Sequence, residues 1–200
     1  IFCLSIATRA DCLSDDVLGL LCEINSRTNL TVELGMQTCY DSTLNLINRG
    51  YNHEKFVEGF SALKKANIRT CIHLINGLPL ENMDIMIKSA LEVARLSPNA
   101  VKLQMLHVIK GTRLEQFFKS QDMKLLSKDE YIDIITGQLE VLPPQIVIER
   151  ITGDGDKSKL IAPTWSADKI SVLGGIDKRL AELNTWQGRL FQKSDSYITN

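Results

Sequence analysis

Apolar positions along this chain recur with a period of two in some stretches and about 3.6 in others, the rhythm of strand-helix units that build a parallel sheet. Five segments read as strands: roughly 2–8 (FCLSIAT), 31–37 (TVELGMQ), 69–75 (RTCIHLI), 101–107 (VKLQMLH) and 146–151 (IVIERI). Ser14, followed by Asp15 and Asp16, caps a helix whose stripe is Val17, Leu20, Leu21 and Ile24. Residues 41–50 read as a shorter helix with an N-cap at Asp41 and a closing Gly50. Phe56, Val57, Phe60 and Leu63 mark the next helix, and Met83, Ile87, Ala90, Leu91 and Ala94 the one after it. Ser127 and Glu130 form a capping box for a helix ending at Pro143 and Pro144. Residues 166–183 are amphipathic, though Gly174 and Gly175 weaken that helix. The polar tail from Asn184 is expected to be partly loose, with Trp186 and Phe191 as its anchors.

The strands alternate where a parallel sheet covered on both faces would read as continuous apolar runs. Period two sets Ser5, Ala7 and Arg9 against Leu4, Ile6 and Thr8, and Glu33, Gly35 and Gln37 against Val32, Leu34 and Met36. It likewise sets Cys71 and His73 against Ile72 and Leu74, and Lys102 and Gln104 against Leu103 and Met105. One apolar face under helices and one polar face toward a lumen is the expectation for a barrel with a functional interior, with Gln37 near its C-terminal mouth. The competing arrangement is an antiparallel sheet with those residues in water, against which the intervening helices speak.

Composition narrows the class. Apolar residues are 44% and charged residues 24% of the 200, as in ordinary globular domains. With 23 basic and 24 acidic residues and a net charge of −1, total charge makes no case for nucleic acid. Five cysteines (Cys3, Cys12, Cys22, Cys39, Cys71) without a C-x-x-C pair suit a reduced cytoplasmic protein. No apolar run approaches the roughly 18 residues of a membrane span, and IFCLSIA is too short for a signal peptide. A chain inside a strand by its second or third residue reads as an excerpt with upstream sequence removed.

Among chemical motifs, INGLPLE (75–81) places Gly77 for close backbone approach and Pro79 to stiffen a strand-to-helix turn. TGDGD (152–156) lacks the Lys-Ser/Thr of a phosphate loop and reads as a turn. His73 and His107 fall near strand ends without zinc-motif spacing, and His53 opens a helix facing solvent.

VELGMQT, INRG (47–50) and HLINGLPLE resemble the second half of a radical S-adenosylmethionine (SAM) enzyme, in the order found in the oxygen-independent coproporphyrinogen oxidase group. LSIATRADCL, LHVIKGTRL, PPQIVIERITGDGD, LIAPTWSADK and TWQG resemble an uncharacterised bacterial subfamily of radical SAM proteins, related to that oxidase and to Elongator subunit 3. The resemblance implies an α/β fold, a partial TIM-like (β/α) barrel entered at about its third strand. Residues 1–142 would belong to the barrel and 143–200 to an extension packed on it.

The same resemblance implies cofactor contacts. Gln37 and Arg49 match the glutamine and arginine that hold the ribose or methionyl portion of S-adenosylmethionine; a guanidinium can clamp a carboxylate with paired bonds. Arg49 also has the reading of a basic residue complementing a helix dipole. The adenine would pack near Ile75, Gly77 and Leu78, following His73. This chain has His73 where the oxidase group has an aspartate, Ala7 where it has an acid, and Leu80 where the closer relatives have glycine. The C-x-x-x-C-x-x-C run for the 4Fe-4S cluster is not in these residues, so the fragment alone is expected to bind no cluster or other metal and to be inactive. The intact protein would make a 5′-deoxyadenosyl radical, take electrons from a flavodoxin or ferredoxin, and act on a small molecule or an RNA.

Arg9, Glu33, Lys102 and Gln104 are the candidate substrate contacts in the lumen. Two other readings remain: a metal-dependent barrel hydrolase or lyase using His73 and His107, and a non-catalytic scaffold binding RNA or protein. Strand 2–8 is expected to present an open edge through which the isolated piece self-associates.

Overall fold

The computed structural model describes residues 2–120, 123–153, 155–156 and 158–192. Ile1, Asp154 of the TGDGD turn and the end of the tail from 193 lie outside them. The elements run β1 (Cys3–Thr8), α1 (Asp15–Arg27), β2 (Asn29–Gln37), α2 (Asp41–Leu46), α3 (His53–Lys65), β3 (Arg69–Asn76), α4 (Met83–Leu96) and β4 (Ala100–Met105). They continue with β5 (Val108–Ile109), α5 (Arg113–Ser120), α6 (Lys128–Val141), β6 (Val147–Arg150), β7 (Leu160–Ala162) and α7 (Lys169–Glu182).

Strands β1, β2, β3, β4 and β6 form one sheet in that order, each pair parallel, so all five expected strands are present. On one face Val32, Leu34, Met36, Ile72, Leu74, Val101 and Leu103 are buried with Phe56, Phe60 and Leu63 of α3, Ala90 and Val93 of α4, and Ile135 of α6. Removing a ring such as Phe56, which is 1% exposed, should cost about 3–5 kcal/mol. The alternate residues Glu33, Gly35, Gln37, His73, Lys102 and Gln104 are only half-buried. The antiparallel reading is thereby excluded. A side pair, β5 with β7, is antiparallel and had no clear signal at two and three residues long.

Several local expectations shift. Helix α1 is capped by Ser14, but of its stripe Leu21 is buried while Val17 and Leu20 stay exposed, because the helix flanks the edge strand. Helix α2 stops at Leu46; Asn48 (φ 57°) and Gly50 (φ 86°) turn the chain, and Asp41 accepts a hydrogen bond from the His53 amide instead of capping. The buried face of α4 is Met86, Ser89, Ala90, Val93 and Ala94, rotated so that Met83 and Leu91 are exposed. The capping box of Ser127 and Glu130 is formed. Gly175 in α7 lets that helix pack closely on α6, since a Cβ there would stand 2.4 Å from the end of the Ile132 side chain and have to displace it. The start of the tail is tied down rather than loose. Gly188 and Leu190 donate to the carbonyls of Leu139 and Glu140, and Gln187 to those of Pro143 and Ile146.

Candidate functional site

The polar face is cross-linked by one carboxylate. Glu33 of β2 accepts from Ser5 of β1 at 2.6 Å, pairs with Nε2 of His73 on β3 at 2.8 Å, and forms a salt bridge with Lys102 of β4. Lys102 lies 3.8 Å from Glu149 of β6, which also meets Arg69. All five strands are thus joined side chain to side chain. Burial acts to raise the Glu33 pKa, but the hydrogen bonds from Lys102 and Ser5 and the neighbouring charges outweigh it and hold the pKa at about 2. Burial, aided by the Lys102 charge, lowers that of His73, so His73 is neutral near pH 7.

Toward the C-terminal ends of the strands, β2 bulges between Gly35 and Gln37, and Gln37 takes a left-handed φ of 68°. The bulge folds the Gln37 side chain back over its own strand. A Cβ at position 35 would stand 2.3 Å from Gln37 Nε2, so a side chain there would have to displace that amide. Gln37 is polar because its amide occupies the sheet's upper rim. Arg49, beyond the end of α2, is no dipole partner. Its guanidinium donates to the Gly35 carbonyl at 2.6 Å and to the Tyr51 hydroxyl, and lies over the Tyr51 ring at 4.6 Å. Arg9 pairs with Asp11 at 2.7 Å and lies over the same ring at 5.2 Å, beside Arg49. Buried within this group, Gln37 Oε1 and Arg49 Nε have no hydrogen-bond partner.

A cavity of about 540 Å³ is lined by Asn48, which precedes Arg49, and by Ile75, Leu78, Leu106 and, from α5, Arg113 and Phe117, among others. Gly77, in the turn between Ile75 and Leu78, has φ 85° and packs a Leu126 methyl at what would be 3.1 Å from a Cβ. Ile75 and Leu78 share the cavity with Asn48, the residue before Arg49, whereas Gly77 faces a neighbouring pocket with Leu126. His73 lies below the rim group, paired in register with Gly35 and turned to Glu33. Gln104, in register with Ile75, shares the face of Lys102.

His107 lies past the end of β4 rather than in the strand, and Gly153 and Gly155 make room for it. A Cβ on either would come within 2.9 Å of its ring. The two histidines thus have different surroundings, and among the described residues no group of three or more His, Cys, Asp or Glu side chains is placed to hold a metal ion. The metal-hydrolase reading is not favoured. His53 is also not a solvent residue: its Nε2 meets Glu92 at 2.8 Å and its side chain is 19% exposed. Sequence reasoning did not single out Tyr51, Glu149 or Phe117. Tyr51 carried a faint signal, an aromatic two residues beyond a rim arginine; the other two are brought in by the fold alone.

No helix of the described residues is long and apolar enough to cross a membrane. Residues 1–93 match the model of the Radical SAM superfamily and residues 98–182 that of the Radical_SAM C-terminal domain. The uncharacterized protein YtqA of Bacillus subtilis is 45% identical over 190 residues, covering 95% of this chain and 59% of that protein. The chain spans about three fifths of that relative's length. Among solved structures, archaeal Methanocaldococcus infernus Elp3 superposes with a TM-score of 0.79 at 23% identity, over 93% of this chain and 43% of that one. Coproporphyrinogen III oxidase (HemN) of Escherichia coli, a radical SAM enzyme, reaches 0.52 at 20% identity over 68% of this chain and 30% of that one. The five-stranded parallel sheet with its polar inner face and the two matching family models identify the chain as a member of the radical SAM superfamily.

Proposed function

We propose that the intact protein binds S-adenosylmethionine and a 4Fe-4S cluster and carries out radical chemistry on a substrate held against the polar sheet face. The carrying observation is the pair of buried, unpartnered atoms at the rim, Gln37 Oε1 and Arg49 Nε; Ile75 and Leu78 line a cavity together with Asn48, which precedes Arg49 in the chain. Buried polar atoms are rarely left unpaired, and such atoms mark where a ligand completes the hydrogen bonding. An amide oxygen suits a ribose hydroxyl, a guanidinium suits the methionyl carboxylate, and the apolar wall suits adenine. When bound, the reduced cluster would supply the electron that cleaves the sulfonium to give the 5′-deoxyadenosyl radical.

This chain's own residues bind and orient. Arg49 is fixed by Gly35 and Tyr51, so it meets an incoming carboxylate already aimed. Below the rim, Glu33, His73, Lys102 and Gln104 present the substrate with an ionised acid, a neutral imidazole, an ammonium and an amide. The cluster thiolates belong to sequence outside these residues, and a flavodoxin or ferredoxin would reduce it.

The test uses the full-length protein, reconstituted anaerobically with iron and sulfide, reduced, and assayed for 5′-deoxyadenosine. Cleavage that falls about tenfold or more in Gln37→Ala and Arg49→Ala supports the proposal. Absence of any cleavage by the wild type overturns it.

A further inference from the structure

Two arginines and one acid surround Tyr51, which leaves one positive charge in excess. Arg49 donates to the Gly35 carbonyl and the Tyr51 hydroxyl, its Nε is buried without a partner, and among the described residues no acid pairs with it. Arg9 lies over the same ring, 5.2 Å from its centre against 4.6 Å for Arg49. It donates to Asp11 through Nε at 2.9 Å and through a terminal nitrogen at 2.7 Å. The segments carrying these groups are anchored to one another. Arg9 and Asp11 flank Ala10, which is 2% exposed and seated on α3, where a Cβ on Gly59 would stand 2.7 Å from the Ala10 carbonyl oxygen. Tyr51 leads into the same helix, whose N-cap is Asn52. Gly50, with φ 86°, leaves room for Arg9, since a Cβ there would lie 3.2 Å from its guanidinium. One helix therefore holds both the turn bearing Arg9 and the tyrosine that meets Arg49.

We propose that Arg9 is a second cation of the carboxylate site: with Asp11 as its resident counter-ion, it adds to the field of Arg49 around Tyr51, so that the rim selects ligands by the carboxylate of their methionyl group. The inference rests on the function proposed above and extends it to a residue that acts beside Arg49. Like charges held close together are unfavourable unless anions are shared between them. Asp11 answers one of the two charges, and a single incoming carboxylate answers the other. The ring face of Tyr51 attracts both guanidiniums and keeps them near that carboxylate. The Arg9 side chain is 45% exposed, so its share is modest, on the scale of a surface ion pair.

The experiment measures equilibrium binding to the reconstituted full-length protein by calorimetry, for wild type, Arg9→Gln, Arg9→Lys, Asp11→Asn and Arg27→Gln. The two probes are S-adenosylmethionine and decarboxylated S-adenosylmethionine, which differ only in the carboxylate, and the readout is the ratio of the second dissociation constant to the first. Arg9→Gln should weaken S-adenosylmethionine about three- to fivefold. It should leave the decarboxylated probe no weaker than in wild type, because loss of a positive charge does not disfavour a cation. Arg9→Lys restores the charge and should stay within about twofold of wild type. Asp11→Asn should raise the ratio, since the field at the carboxylate becomes more positive. Arg27, exposed on α1 and paired with Glu23, is the control whose loss leaves the ratio unchanged. Equal weakening of both probes in Arg9→Gln, which a merely structural role would give, or unchanged binding of both, overturns the inference. If Arg9→Gln fails to fold, Asp11→Asn decides in its place, a ratio that falls or stays the same counting against the role of Arg9. A wild type that binds neither probe overturns the proposed function itself.

Discussion

The Glu33 carboxylate reaches the Lys102 ammonium across an intervening strand, with His73 of that strand bonded to the same oxygen. Both charged side chains are sheltered, at 15% and 13% exposure, so each is the other's main substitute for water. Breaking such a pair leaves an uncompensated charge, and Glu33→Ala should lower stability by about 2–4 kcal/mol. The double variant Glu33→Met with Lys102→Met should regain most of it. Urea unfolding of the three proteins decides; a single variant as stable as wild type would mean the pair is open to solvent.

Acid should loosen the same network in two stages. His73 has its folded pKa below the unfolded value of 6.5, so its contribution is present above that value and fades as pH falls past it. Glu33 is held at about 2 against 4.5, so its contribution is full above 4.5 and is lost as pH falls from there toward 2. Urea midpoints between pH 7.5 and 3 should decline in both windows, and Glu33→Gln should flatten the lower one.

Gly35→Ala tests the bulge. The added methyl has no room beside the Gln37 amide and lies 3.1 Å from Arg49, so it must displace both. Stability should drop by about 1–3 kcal/mol, and adenosylmethionine binding should fall together with it. Unchanged melting and binding would show that Gln37 does not fold back over position 35.

Leu80 occupies a left-handed conformation, φ 66°, while 87% exposed, so it strains the backbone and packs against little. Glycine there should stabilise the protein by about 1 kcal/mol, a rise in melting temperature of about 2–4 °C for a chain of this size. The turn takes a shape that glycine favours. A fall in melting temperature would contradict this.

Much of this was legible along the chain because it depends on periodicity and on local bonds. The five strands, their inner and outer faces and the capping box of Ser127 and Glu130 follow from side-chain alternation and from hydrogen bonds between residues three apart. Gln37 and Arg49 were legible through a resemblance. Tyr51 carried only its nearness to Arg49 in the chain, and Glu149 and Phe117 had no sequence pattern linking them to the polar face or the cavity.

Sequence by itself determined an α/β chain whose sheet has one apolar and one polar face, since a period of two forces that division whatever the strand order. Tertiary structure decided what the polar face does. Parallel pairing sets His73 beside Lys102 and places Glu33, opposite Cys71, one same-face step before them, so that its carboxylate is shared by Ser5, His73 and Lys102. It also made Arg49 a rim residue by ending α2 at Leu46, four positions short of the closing Gly50 that the sequence pattern implies. Such outcomes turn on distances between segments far apart in the chain, which local propensity does not encode.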